Sequence, residues 1–155
     1  MLLSVLIIIT LCYITYQDLK ERQVYFVLFP VLGSLMSLKH IFNSFRDPFL
    51  YAVGINLIVI AFMMLSIYLY SKLKLNQKFF KVFGLGDLLI FICMALGFSS
   101  LNFIIIFVFS LIFSLLIHLV LRDRGTVPLA GYMSLFLIVV YIGGELNLIN
   151  NLYSF

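Results

Sequence analysis

The sequence predicts an all-α integral membrane protein, a polytopic bundle of six transmembrane helices in a single domain over residues 1–155. Composition is the first reason. Of 155 residues, 65% are hydrophobic and only 10% are charged, with a mean hydropathy of +1.22. A soluble domain carries about 25% charged residues, so this chain has too little polar surface to face water. Lipid demands that backbone polar groups be paired within their own segment, which selects helices. The second reason is the spacing of apolar runs, at roughly 1–19, 24–38, 49–71, 79–98, 101–121 and 129–148. The third is the placement of Lys and Arg. With the N-terminus outside, Lys20, Arg22, Lys72, Lys74, Lys78, Lys81, Arg122 and Arg124 lie in cytoplasmic loops, against Lys39 and Arg46 outside. That bias predicts both termini outside. It also explains the net charge of +4 without nucleic acid as a partner.

Each run has its own justification. The first has no basic region before Leu2 and no small-residue cleavage pattern after it, so it is expected to be a retained helix rather than a secretory signal. It is apolar only through Tyr16, and spanning about 30 Å of hydrocarbon needs about 20 residues, so its helix continues to Asp18 or beyond. The third run contains Asn56, expected to hydrogen-bond across helices. The fourth is constrained most tightly. Leu88 to Leu121 is too long for one span and too short for two, which predicts a break near Gly97-Phe98-Ser99-Ser100. The fourth span must then begin upstream, around Phe79 to Phe83, or be unusually short, and Asp87 is drawn below the membrane surface. Gly84 and Gly86 would let the backbone bend, or be closely approached, just before it. Pro128 is a helix-start proline opening the last run.

Asp18 and Asp87 carry the chemistry. A carboxylate at the edge of hydrocarbon is costly and by default functional. These two lie on different helices at the same cytoplasmic level. Paired carboxylates can hydrolyse an amide: one, ionised, takes a proton from water while the other, protonated, hydrogen-bonds the scissile carbonyl. Like charges in contact resist double ionisation, so such a pair shares one proton and titrates as a unit. The simpler reading is that each Asp flanks a helix end, Asp18 pairing with Arg22 at i, i+4 and Asp87 favoured by a helix N-terminus.

Local motifs add to this reading. Gly84-Leu85-Gly86-Asp87 is the G-x-G-D signature of intramembrane aspartic proteases. Asp18-Leu19-Lys20-Glu21-Arg22-Gln23-Val24 resembles the D-x-x-x-R-x-[IV] segment after the first helix of type IV prepilin peptidases and their preflagellin relatives. Val127-Pro128-Leu129-Ala130-Gly131-Tyr132 is similar to the stretch that opens that family's last core helix. The three occur in the family's order and cover essentially the whole chain. The resemblance implies a membrane-embedded aspartic endopeptidase with Asp18 and Asp87 as catalytic pair, and Gly84, Gly86, Arg22 and Pro128 as motif or active-site loop positions. It implies no cofactor and no metal. The substrates implied are prepilin-like or pseudopilin-like precursors, cut on the cytoplasmic side of their hydrophobic segment, typically after a Gly. The implied place is the inner (cytoplasmic) membrane of a bacterium or archaeon, in service of a type IV pilus or protein secretion system. Homodimerisation stays open.

Two positions depart from the family. Leu89 stands where Lys usually follows the second Asp, and Tyr25-Phe26 stand where Pro-Asn usually follows the first motif. The chain also resembles a short form without the cysteine-rich cytoplasmic insertion, so N-methylation of the product is not expected. The presenilin branch shares G-x-G-D but expects Tyr directly before its first Asp, where this chain has Gln17. Two other classes stay in view: a catalytically degenerate scaffold of the same fold, and a small ion- or proton-coupled transporter subunit. His118 and Glu145 read as interface residues, and Cys12 and Cys93 as small buried hydrophobes.

Overall fold

In the computed structural model, which describes residues 2–43, 46–75, 84–121 and 127–146, the described residues form helices and no strand. They are α1 (Leu2–Glu21), α2 (Leu28–Asn43), α3 (Arg46–Tyr70, continued by a π turn over Ser71–Leu75), α4 (Leu85–Gly97), α5 (Ser100–Leu121) and α6 (Leu129–Glu145). Three segments are long and apolar enough to cross a membrane: Leu2–Glu21, Phe49–Leu73 and Ser100–Leu121. α4 and α6 are shorter apolar helices.

Apolar stripes decide which face each helix buries. On α1, Ser4, Ile7, Leu11, Ile14 and Asp18 recur at alternating steps of three and four and are all buried. This is the seam spacing of packed helices. Its apolar middle meets α6, where Met133, Leu137, Val140 and Tyr141 are buried. α4 lies at the centre, packed against α2, α3, α5 and α6. Its Ile90, Phe91 and Met94 join Leu32 and Met36 of α2 and Phe103 and Phe107 of α5 in one core. Outward faces are apolar too: Phe62 on α3 and Val120 on α5 are among many exposed large hydrophobics, and Cys12, expected to be buried, stands exposed on the outward face of α1 while Cys93 is buried. Such a surface suits lipid rather than water.

The break predicted near residues 97–100 is present. α4 ends at Gly97, Phe98 is extended, and α5 starts at Ser100. Phe98 and Ser99 are fully buried, so carbonyls freed by the break cannot turn to water. Side chains from neighbouring helices receive them. Asn56 Nδ2 donates to Ala95 O and Phe98 O, both at 3.0 Å, as the sequence led one to expect for an intramembrane Asn. His40 Nδ1 lies 3.2 Å from Leu96 O and its ring packs edge-on against Phe49. Past the break, Phe103 N–H donates to Ser99 O at 2.7 Å, the opening helical bond of α5.

Other boundaries differ from the sequence reading. α2 begins at Leu28, because Gln23 to Val27 form an irregular link, and extends to Asn43. α4 has 13 residues, about 20 Å at 1.5 Å per residue, the shorter of the two alternatives for the fourth run among the described residues. Phe79 to Phe83, and the basic residues Lys78, Lys81, Arg122 and Arg124, lie outside the described residues.

Candidate functional site

The site is built on the first turn of α6. A helix start leaves its leading N–H groups without intrahelical partners. Pro128, at the N-cap, has no N–H to satisfy. Leu129 N–H turns back to Val127 O at 2.9 Å. Ala130 N–H donates to Asp87 Oδ1 at 2.9 Å, and Gly131 N–H to Asp18 Oδ2 at 2.6 Å. Tyr132 N–H then makes the first helical bond, to Pro128 O. All donors of the turn are thereby accounted for, two of them by the two aspartates.

Adjacent helical amide nitrogens are roughly 3 Å apart, so carboxylates seated on consecutive amides stand side by side. The charge of Asp18 acts on Asp87. Three helices converge to make the pair: α1 supplies Asp18, α4 supplies Asp87 and α6 supplies the amides. The positive end of α6 faces both oxygens, which favours negative charge between them.

Asp18 reaches this point because it ends the buried stripe of α1; it is 8% exposed, turned into the bundle rather than out to the interface. Thr15, one turn earlier, donates to Leu11 O and approaches Gly131 O at 3.4 Å. Gln17, also buried, accepts from Tyr25 N–H at 3.2 Å and so ties the link after α1 to the helix.

Asp87 occupies the third position of α4, after the N-cap Gly84. Its carboxylate also accepts from the Gly84 N–H, the backward half of a capping box. A Cβ on Gly84 would lie 2.9 Å from Asp87 Oδ2. A side chain here would push that oxygen from its place, so Gly84 leaves the room in which the carboxylate sits. No glycine among the described residues has positive φ, and Gly84 is extended at φ −74°, ψ 141°. Gly86 sits within the first turn of α4, not in a loop, and a Cβ there would meet only Phe29 Cζ, at an ordinary 3.6 Å. Of the two roles expected of these glycines, close approach is seen at Gly84, and neither a bend nor a close approach is seen at Gly86.

Arg22 closes α1 in the left-handed conformation, φ 54°, with its N–H donating to Asp18 O at 3.2 Å. Gly or Asn would suit that backbone better. Its charge acts on Asp18, which gives the side chain a reason to be there. Leu89, where the resembling family has Lys, is half-buried on α4. His118 is partly buried near the end of α5, and Glu145 lies at the far end of α6 from the aspartates.

The sequence missed the Ala130 and Gly131 amides. Its one signal was a Gly three residues after a helix-start Pro: a Cβ on Gly131 would stand 3.0 Å from Asp18 Oδ2 and 3.1 Å from Asp18 Cβ. Among the described residues, no cluster of His, Cys, Asp and Glu has the makings of a metal site. Comparison with protein-family models, characterised proteins and solved structures returns no match.

Proposed function

We propose that this protein is a membrane-embedded aspartic endopeptidase that uses Asp18 and Asp87 as a dyad to activate water. One observation carries the reading: the two carboxylates, 69 positions apart in sequence, sit on consecutive amides of a single helix start. In the reaction, the ionised member of the pair takes a proton from water, whose oxygen attacks the scissile carbonyl. The protonated member hydrogen-bonds the carbonyl oxygen and then gives its proton to the departing amine. The Ala130 and Gly131 amides hold the pair together and support its single negative charge.

The substrate class proposed is the prepilin-like precursor, by resemblance of the three motifs. The flanks of the dyad suit such a chain. Leu85 and Val127, next to Gly84 and Pro128, are 61% and 42% exposed and apolar, as are Tyr25, Phe26 and Val27 on the link after α1. A precursor's hydrophobic segment can lie against them with its leader in the aqueous phase. A bundle of six spans, with basic loops and the dyad at the cytoplasmic face, completes the proposal.

The second reading, a scaffold without catalysis, has its own observation: both aspartates are also caps, Asp87 at α4 and α6 and Asp18 at α6. Asn caps a helix about as well as Asp. Membranes bearing wild type, Asp18→Asn or Asp87→Asn, incubated with a panel of prepilin-like precursors in H₂¹⁸O, separate the readings. The protease releases the leader, marks its new carboxyl terminus with ¹⁸O by mass spectrometry, and loses this in both variants. No leader release by wild type from any precursor leaves the scaffold.

A further inference from the structure

α1 and α6 run antiparallel, and two of their polar contacts fall on one register line. At the cytoplasmic end, Asp18 meets Gly131. Fourteen residues back along α1, and fourteen forward along α6, Ser4 Oγ donates to Glu145 Oε1. The two contacts are separated by the same stretch on each helix, about 21 Å at 1.5 Å per residue. Between them the stripe is mostly apolar, with Ile7, Leu11 and Ile14 on α1 and Leu137 and Val140 on α6, while the buried Ser134 and Thr15, whose Oγ1 donates to Gly131 O at 3.4 Å, lie toward the Asp18 end.

An apolar seam specifies register weakly, since a slide of one turn exchanges one hydrophobic contact for another. A polar contact within the seam specifies it strongly. At the Ser4 end that contact is reinforced by a third helix. Lys39 Nζ of α2 lies 2.9 Å from Glu145 Oε1 and donates to Ser4 Oγ at 2.6 Å, which closes a triangle. The ammonium also stands 4.9 Å from the centroid of the Tyr141 ring. The pair is partly withdrawn from solvent, with side chains 12% and 33% exposed, so it is better held than an ordinary surface ion pair.

We propose that Ser4, Lys39 and Glu145 form a register lock for α1 and α6, and that Lys39 and Glu145 are positioning residues for Asp18 at the opposite end of the bundle. The lock fixes how far α1 slides along α6, and therefore whether Asp18 reaches the Gly131 amide beside Asp87. Its effect on cleavage rests on the proposed protease activity; its effect on register does not.

The test reads both. In a Cys12→Ser, Cys93→Ala background, Leu11→Cys with Ile138→Cys lies on the register line, and Leu11→Cys with Ile142→Cys lies one turn off it. Oxidative crosslinking in membranes reports which pair is opposed. The expected pattern is efficient crosslinking of the on-line pair in the otherwise native chain. With Lys39→Met and Glu145→Gln together, the off-line product rises several-fold. In the same chain without the added cysteines, kcat falls about tenfold while KM holds, because the precursor's contacts lie elsewhere. The charge-swapped pair Lys39→Glu, Glu145→Lys restores both readings. Unchanged crosslinking and kcat in the neutralised chain would overturn the lock, as would a well-folded swapped chain that stays shifted. If wild type cuts no precursor, the crosslinking still decides the lock, and the protease reading fails by itself.

Discussion

Gly131 and Gly84 each leave room for one carboxylate, and a methyl group at either would push on it. At Gly131 the added carbon would lie 3.0 Å from Asp18 Oδ2, and at Gly84 it would lie 2.9 Å from Asp87 Oδ2, whereas at Gly86 it finds ordinary contact at 3.6 Å. Space therefore separates two glycines that the G-x-G-D motif treats alike. Gly131→Ala and Gly84→Ala should each lower kcat about tenfold or more, equivalent to about 1.4 kcal/mol of transition-state stabilisation. Gly86→Ala should stay within about twofold, read in the same steady-state cleavage assay. The pH–rate profile belongs to the same scale. A pair that works with one proton between them is inactive when both are protonated and when neither is, so activity should be bell-shaped, and each single Asn variant should lose the bell with the activity. The sequence made the aspartates legible because carboxylates are rare among so many apolar letters. It hid their partners, because the Ala130 and Gly131 donors are backbone groups common to every residue.

At the scale of elements, α4 is the unusual piece: a 13-residue helix that ends inside the bundle and carries Asp87 on its first turn. Its far end is held by Asn56 and His40. Asn56→Leu keeps the number and branching of side-chain heavy atoms but leaves the Ala95 and Phe98 carbonyls without those donors. Each orphaned buried group costs about 1–3 kcal/mol, so a loss on the order of 3 kcal/mol is expected. It should appear as a lower midpoint in thermal or SDS unfolding of the purified protein. Gln in place of Asn56 retains the amide and should recover part of it. The break between α4 and α5 was legible because 34 residues fit neither one span nor two. The start of α2 was less so: Val24 to Val27 is apolar, yet Gln17 holds Tyr25 N–H and keeps the link out of the helix.

For the whole molecule, composition announced a lipid environment and the structure agrees through its apolar outer faces, with three segments long enough to cross a membrane. The full span count rests on the spacing of the apolar runs, and the orientation on the asymmetry of Lys and Arg, which is a property of loops rather than of packing. It predicts sidedness. A membrane-impermeant maleimide should label Lys20→Cys only from the cytoplasmic side and Phe42→Cys, at the opposite end of the bundle, only from the outside. Labelling of both from one side would remove the proposed orientation. What sequence could not supply at this scale was the convergence of α1, α4 and α6 on one helix start, since contact between segments so far apart leaves no local pattern.

The convergence matters only if the paired carboxylates do chemistry, and the direct measurement is leader removal by Asp18→Asn and Asp87→Asn beside wild type, with each protein's unfolding midpoint recorded in the same preparation. Asn preserves the caps, so midpoints should stay close to wild type while cleavage is lost in both variants, by about a thousandfold or more, as for removal of a catalytic group. Cleavage at the wild-type rate by either variant would contradict the dyad.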